Sequence, residues 1–174
     1  IGSNLAESLQ SRDHTIYRLV RSKPNEANHE IFWAPASGEI DAASLEGVDA
    51  IIHLAGESIS GRWTAAKRKR IKESRIQGTS LLARVITEAQ SPPRTFISAS
   101  AIGFYGHQPK AQLVESSRAG RGFLAKVCLA WESSSAAAEA ATRVVNPRIG
   151  IVLSSKGGAL AQMVPAFRMG LGGK

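Results

Sequence analysis

Ala50-Ile51-Ile52-His53-Leu54-Ala55-Gly56-Glu57-Ser58-Ile59-Ser60-Gly61-Arg62-Trp63 passes from a short apolar run to small residues and then to a polar segment. Strands read as short apolar runs when both faces of a sheet are covered, and the crevice beyond their carboxyl ends is where such sheets hold ligands. Leu54, Ala55 and Gly56 fall at that end. A core strand followed by an ordinary loop has the same pattern, so the flanking elements decide between the two readings.

Upstream, Leu5 and Leu9 stand four residues apart in an amphipathic helix that runs from the first residues to about Gln10. Residues 15–20 alternate as a strand that ends at Arg21-Ser22, before the turn residues Pro24 and Asn25. A short strand is predicted at 31–33 and a brief helix at 41–45. Gly47 closes that helix and delivers the chain into a strand at 49–54.

Downstream, Ile71, Gly78, Leu81, Leu82, Val85 and Ile86 repeat at helical spacing within 64–90, the longest predicted helix, which Ser91-Pro92-Pro93 ends. A strand at 95–100 leads into a glycine-punctuated loop at 103–106. An alanine-rich helix covers 123–141, and a strand at 143–153 is interrupted near Asn146-Pro147. The remainder, 157–174, is punctuated by glycines. Strand and helix alternate in the order that gives a parallel sheet with helices on both faces, an α/β fold of Rossmann type. A flavodoxin-like sheet shares the alternation and differs in strand order. One domain over 1–174 is expected.

With 174 residues, 43% of them hydrophobic, the chain can bury one core. Cys128 is the single cysteine, so neither a disulfide framework nor a thiolate zinc site can form within the chain, and a reducing, cytoplasmic setting is expected. No apolar run approaches the roughly 20 residues of a membrane span. The net charge of +8 raises nucleic-acid binding as a function class. The cations cluster, however, with Lys67, Arg68, Lys69, Arg70, Lys72 and Arg75 in one helix and Arg62 just before it, and aromatics make up only 6%. A solvated helix face explains the cluster without a nucleic acid.

In a dinucleotide fold a glycine-rich turn joins the first strand to the first helix, so that backbone amides approach the pyrophosphate. Gly2, opening a helix, is compatible with the last glycine of such a turn. Sites for NAD usually end the second strand with Asp or Glu; Arg21-Ser22 offers instead a cation and a hydroxyl suited to a 2′-phosphate. NADP is therefore the expected cofactor, with NAD kept as the alternative. Ser98 and Ser100 place hydroxyls at the same sheet edge as Leu54 to Gly56, and Tyr105 follows closely as a candidate proton donor or acceptor. No G-x-S-x-G elbow or metal-ligand spacing of histidines is present. His53, inside a core strand, reads as a satisfied buried residue, and Glu57 and Glu115 show no paired geometry.

Several uncommon residues recur together: Leu-Ala-Gly-Glu-Ser-Ile at 54–59, Arg62-Trp63-Thr64, Ser74-Arg75, the segment 98–106, Trp131-Glu132, Arg-Ile-Gly-Ile-Val-Leu at 148–153, and the tail with Gly157, Gly158, Met163, Pro165, Phe167 and Gly170 to Gly173. In these the chain resembles the atypical branch of the extended short-chain dehydrogenase/reductases, the NAD-dependent epimerase/dehydratase or nucleoside-diphosphate-sugar epimerase family, also described as cell-division-inhibitor-like. The resemblance spans essentially the whole chain.

It implies a Rossmann domain without the first strand, with Gly2 as the final glycine of GxxGxxG, and without the C-terminal substrate domain. It also implies Arg21 and Ser22 at the 2′-phosphate, Leu54, Ala55 and Gly56 along the cofactor, and Arg62 at the crevice mouth. Arg75 stands where typical extended members carry an asparagine of the proton relay, and would contact cofactor phosphate or ribose. Ser100 matches the substrate-binding serine. The departure is the catalytic Tyr-x-x-x-Lys pair: Leu124 and Cys128 occupy its positions, and Lys126 is out of register. Tyr105 is the substitute acid that remains.

The expectation is an NADP(H)-dependent oxidoreductase or epimerase/dehydratase with a non-standard catalytic set, Ser100 and Tyr105. The alternative is a catalytically silent protein that senses NADP(H). The partner is a small-molecule substrate, not a nucleic acid or a membrane, and a homodimer stays open as the assembly.

Overall fold

The computed structural model of the chain describes residues 1–154 and 157–171. Helix α1 (Gly2–Gln10) leads to strand β1 (Arg18–Val20), which runs parallel to β2 (Glu30–Ala34) with Arg18 opposite Glu30. The chain then reverses through Gly38, at φ +74°, and β3 (Glu39–Ile40) pairs antiparallel with β2. A second sheet is all parallel, in the order β4 (Ala50–His53), β5 (Thr95–Ser98), β7 (Arg143–Val145). Short β6 (Ser100–Ala101) and β8 (Arg148–Ile149) extend β5 and β7 as a parallel pair.

The pairing separates the two architectures. A flavodoxin-like order would set β1 beside β4, and these two strands are not paired. In the dinucleotide-binding order 3-2-1-4-5-6, β2 and β1 take positions 3 and 2, and β4, β5 and β7 take positions 4, 5 and 6. Among the described residues no strand takes position 1.

Helix α2 (Ala65–Glu88) ties the sheets together. Thr64 caps it, its Oγ1 accepting from the Lys67 amide at 3.2 Å, and Pro92-Pro93 follow its end. Leu81, Leu82, Ala83, Val85 and Ile86 on one face bury against Trp33 and Ile31 of β2, Ile51 of β4 and Phe96 of β5. Each large side chain so buried contributes about 1.5–3 kcal/mol of transfer free energy. Gly78 brings α2 close to the sheet, since a Cβ there would lie 3.1 Å from the His53 ring and 3.4 Å from Trp33. Helix α3 (Phe123–Ser135) packs beside α2, and α4 (Gly158–Arg168), with Pro165 inside it, buries none of its residues.

Several elements differ from expectation. Residues 15–17 stay outside β1, whose neighbour β2 begins to pair only at Arg18. The strand expected at 95–100 breaks at Ala99, whose amide turns back to the His53 carbonyl at 3.0 Å. The helix expected to reach 141 tightens into a 3-10 turn at Ala136–Ala140, and the 103–106 loop carries another at Ile102–Tyr105. The break at Asn146-Pro147 is present, but the strand stops at Ile149. Among the described residues Ile151, Val152 and Leu153 have no strand neighbour, and they are 76%, 48% and 67% exposed. The tail glycines Gly172 and Gly173 lie outside the described residues.

Candidate active site

Two constructions stand at the carboxyl edge of the sheet. At the first, α1 begins beside β4, for a Cβ on Gly2 would lie 3.9 Å from Leu54 Cδ1. The Leu5 amide bonds the Ile1 carbonyl, which leaves the amides of the first turn pointing outward at the helix start. The loop that follows β4 is gripped from α2: Ser74 Oγ accepts from the Glu57 amide at 2.9 Å, and Arg75 Nη1 donates to the Glu57 carbonyl at 3.0 Å. Arg75 also donates to the Ile71 carbonyl, and its guanidinium lies 5.0 Å from the Trp131 ring centroid.

Gly56 makes room for this grip, because a Cβ there would sit 3.1 Å from Arg75 Cζ. Burial holds Arg75 below its ordinary pKa, outweighing the opposing charges of Cys128 and Glu57. Glu57 forms ion pairs with Lys67 at 2.7 Å and Arg70 at 3.5 Å, and the Lys67 hydrogen bond lowers its pKa. Lys67 is thus committed to the loop rather than to a solvated face.

The second construction joins α3, β6, β8 and the 3-10 turn at Ile102–Tyr105. Ser100, almost fully buried, donates its hydroxyl to Glu132 Oε1 at 2.5 Å. Glu132 receives Arg148 in a two-pronged contact, Nε to Oε1 and Nη2 to Oε2, each at 2.9 Å. Arg148 Nη1 donates to the Tyr105 hydroxyl and to the Glu115 carbonyl, also at 2.9 Å. The guanidinium lies 3.5 Å from the Phe104 ring centroid, a cation–π contact. The Glu132 hydrogen bonds raise Arg148 above its ordinary pKa. One carboxylate and one guanidinium therefore connect the two candidate catalytic residues, Ser100 and Tyr105.

The remaining predicted residues divide. Arg21 and Ser22 follow β1 directly, exposed, and the Arg21 side chain has no hydrogen-bond or ion-pair partner among the described residues. Arg62 is exposed, while its neighbour Trp63 donates to the Ile59 carbonyl at 2.7 Å and stacks edge-on with Phe123. Ser98 points into the interior, with Oγ 3.5 Å from Thr79 Oγ1, on the same buried face of β5 as Phe96. His53 is buried but not satisfied: among the described residues no group bonds its Nε2. The ring is wedged against Gly78 and Trp33, and burial, with the nearby Arg75 charge, lowers its pKa to about 4.

Leu124 and Cys128 pack about Gly103, where a Cβ would meet them at 3.4 Å and 3.8 Å. That face of α3 is spent on holding the 3-10 turn. Burial pushes the Cys128 thiol up. Ser74, Glu132 and Arg148 were missed as functional candidates. Their only signal is membership in the recurring pairs Ser74-Arg75 and Trp131-Glu132 and in the segment that begins at Arg148.

The sequence model of the NAD dependent epimerase/dehydratase family matches residues 1–171. The chain belongs to this family. Among family members, it is 40% identical over 176 residues to the epimerase family protein ML0860 of Mycobacterium leprae, covering all of this chain and 56% of that protein. It is 34% identical over 177 residues to human epimerase family protein SDR39U1, covering 99% of this chain and 58% of that one. The chain thus spans little more than half the length of these relatives. The crystal structure of human SDR39U1 isoform 2 with NADPH superposes with a TM-score of 0.86 at 32% identity, over 99% of this chain and 57% of that chain. A nucleoside-diphosphate sugar epimerase from Corynebacterium glutamicum superposes at 0.77 with 37% identity, over 91% of this chain and 33% of its own. The family's Rossmann-type fold is the fold described above.

Proposed function

We infer that this chain is the NADP(H)-binding domain of an oxidoreductase or sugar-nucleotide-type epimerase/dehydratase. The observation that carries the reading is the unpaired Arg21, exposed with Ser22 at the end of β1, in a sheet whose β4 end meets the start of α1. The donor set fits a phosphorylated dinucleotide. A guanidinium and a hydroxyl suit the 2′-phosphate, and outward amides at the first turn of a helix suit the pyrophosphate. NAD, without the 2′-phosphate, would leave Arg21 uncompensated. The human relative crystallised with NADPH supports the same choice.

Leu54, Ala55 and Gly56 would run along the cofactor, with Gly2 at its pyrophosphate and Arg62 at the crevice mouth. Arg75 supports this wall through Glu57 and so acts as a positioning residue. When bound, the cofactor supplies a hydride acceptor or donor. Tyr105 accepts a hydrogen bond from Arg148, so its own proton is left to give to a substrate oxygen, and the Arg148 N–H stays on the phenolic oxygen after the proton leaves. Ser100 directs its proton to Glu132 and presents lone pairs, so it accepts where Tyr105 donates. A substrate hydroxyl meets both kinds of partner, and a substrate carbonyl meets the Tyr105 donor.

A second reading, NADP(H) sensing without turnover, is favoured by one observation: Leu124 and Cys128 pack around Gly103 where the family's Tyr-x-x-x-Lys would stand. Titration of tryptophan fluorescence in the full-length protein with NADPH and NADH separates the readings. Tighter binding of NADPH is expected, and failure to bind either dinucleotide would contradict both. NADPH bound but not consumed with carbonyl or sugar-nucleotide substrates favours sensing.

A further inference from the structure

Beside Tyr105 lies an open cleft of about 370 Å³ lined in part by Tyr105, His107, Gln108 and Arg121. That volume suits a small organic molecule or one end of a larger one. The cleft is built, not incidental. Residues 119–121 are clamped onto 104–106, with the Gly120 amide donating to the Phe104 carbonyl at 2.8 Å. A Cβ on Gly120 would overlap the Tyr105 carbonyl, and one on Gly106, which sits at φ +64°, would lie 3.1 Å from the Arg121 backbone. Both positions therefore require glycine. The consequence is that Arg121, although its side chain is exposed, is anchored by its backbone beside Tyr105.

The charge of the cleft is one-sided. Neither the Arg121 guanidinium nor the His107 imidazole has a hydrogen-bond or ion-pair partner among the described residues. No carboxylate lines the cleft. The segment that forms it, 105–121, carries Lys110, Arg118 and Arg121 against Glu115. An unpaired guanidinium in a concave, acid-free site favours a planar or tetrahedral oxyanion that can take its paired donors.

We propose that this cleft binds an anionic group of the substrate, a carboxylate or a phosphate, through Arg121 with His107, and so holds a neighbouring substrate oxygen at Tyr105. The proposal rests on the reading of Tyr105 as a group that meets substrate. It adds the substrate's class: an acid or a phosphate ester bearing a hydroxyl or carbonyl near its charged group.

The test is an amide-shift titration of the full-length protein with inorganic phosphate and, separately, with acetate and malonate, in wild type, Arg121→Ala and Arg121→Lys. Saturable shifts at Gly106, His107, Gly120 and Arg121 are expected, weakened about tenfold in Arg121→Ala and partly restored in Arg121→Lys. The stronger arm, phosphate or carboxylates, identifies the group. NADPH affinity, measured alongside, is expected to be equal in all three proteins, so a failure of cofactor binding is distinguishable from a failure of this site. Absence of saturable shifts with every anion overturns the proposal, as do shifts undiminished in Arg121→Ala, or anion shifts abolished by NADPH.

Discussion

Two arginines, both set against aromatic rings at the same edge of the sheet, are used in opposite ways. Arg75 lies near Trp131 and spends Nη1 on the main-chain carbonyls of Glu57 and Ile71, without a carboxylate. Arg148 lies on Phe104 and is locked to Glu132 by two parallel hydrogen bonds, with Nη1 left for Tyr105 and Glu115. The first arrangement fixes a loop by its backbone and is indifferent to which side chains the loop carries. The second fixes side chains relative to one another, which is what proton transfer requires. Shape is held on the proposed cofactor side and functional groups on the proposed reaction side.

The comparison breaks first at the ion pair. Glu132→Ala leaves Arg148 partly buried without its carboxylate and is expected to cost about 3–5 kcal/mol in urea unfolding. Adding Arg148→Met should recover much of that loss. If Glu132→Ala unfolds at the wild-type urea midpoint, the pair does not hold the site.

The opposite region carries a pH dependence of its own, at His53. His53 has a pKa of about 4 in the folded chain against an ordinary 6.5, so the unfolded chain takes up the proton first. Stability from this group is complete above about pH 6.5 and is lost as pH falls toward 4, on the order of 3 kcal/mol across the full window. Between pH 6.5 and 5, ahead of most carboxylate titration, wild type should lose stability and His53→Leu should not. Equal slopes in the two proteins would mean that His53 titrates normally.

Gly78→Ala sharpens the same point, since a methyl group 3.1 Å from the His53 ring overpacks that contact. A loss of about 1–3 kcal/mol is expected in thermal or urea unfolding. Arg75→Met keeps the stem over Trp131 and removes the donors to the loop, for about 1 kcal/mol. Its sharper readout is faster amide exchange at 55–58 with no change around Tyr105. A change at both places would show that the regions are coupled.

The sheet's ligand edge was legible because β4 ends in small residues before a polar loop, and Asn146-Pro147 marked the break between β7 and β8 because proline cannot continue a ladder. The β2–β3 hairpin was not read, although Pro35 and Gly38 signal its turn, because β3 is only two residues long. The site was less legible than the fold. Ser100, Glu132 and Arg148 come from three elements, and contacts between elements leave no period in a sequence. Arg75 was recognisable as unusual, but a sequence cannot say that its Nη1 goes to the carbonyls of Glu57 and Ile71. His53 was read as satisfied because burial is predictable from a strand pattern and the absence of a partner is not.

Arg21 is the residue on which the cofactor assignment turns, being exposed and unpaired at the end of β1. The decisive measurement is the ratio of NADPH to NADH dissociation constants in the full-length wild type and in Arg21→Asp. The wild type should favour NADPH by about tenfold or more, a charged hydrogen bond's worth of affinity, and Arg21→Asp should abolish or reverse that preference. A ratio unchanged by the substitution would contradict the assignment of Arg21 to the 2′-phosphate and, with it, the placement of the cofactor along Leu54 to Gly56.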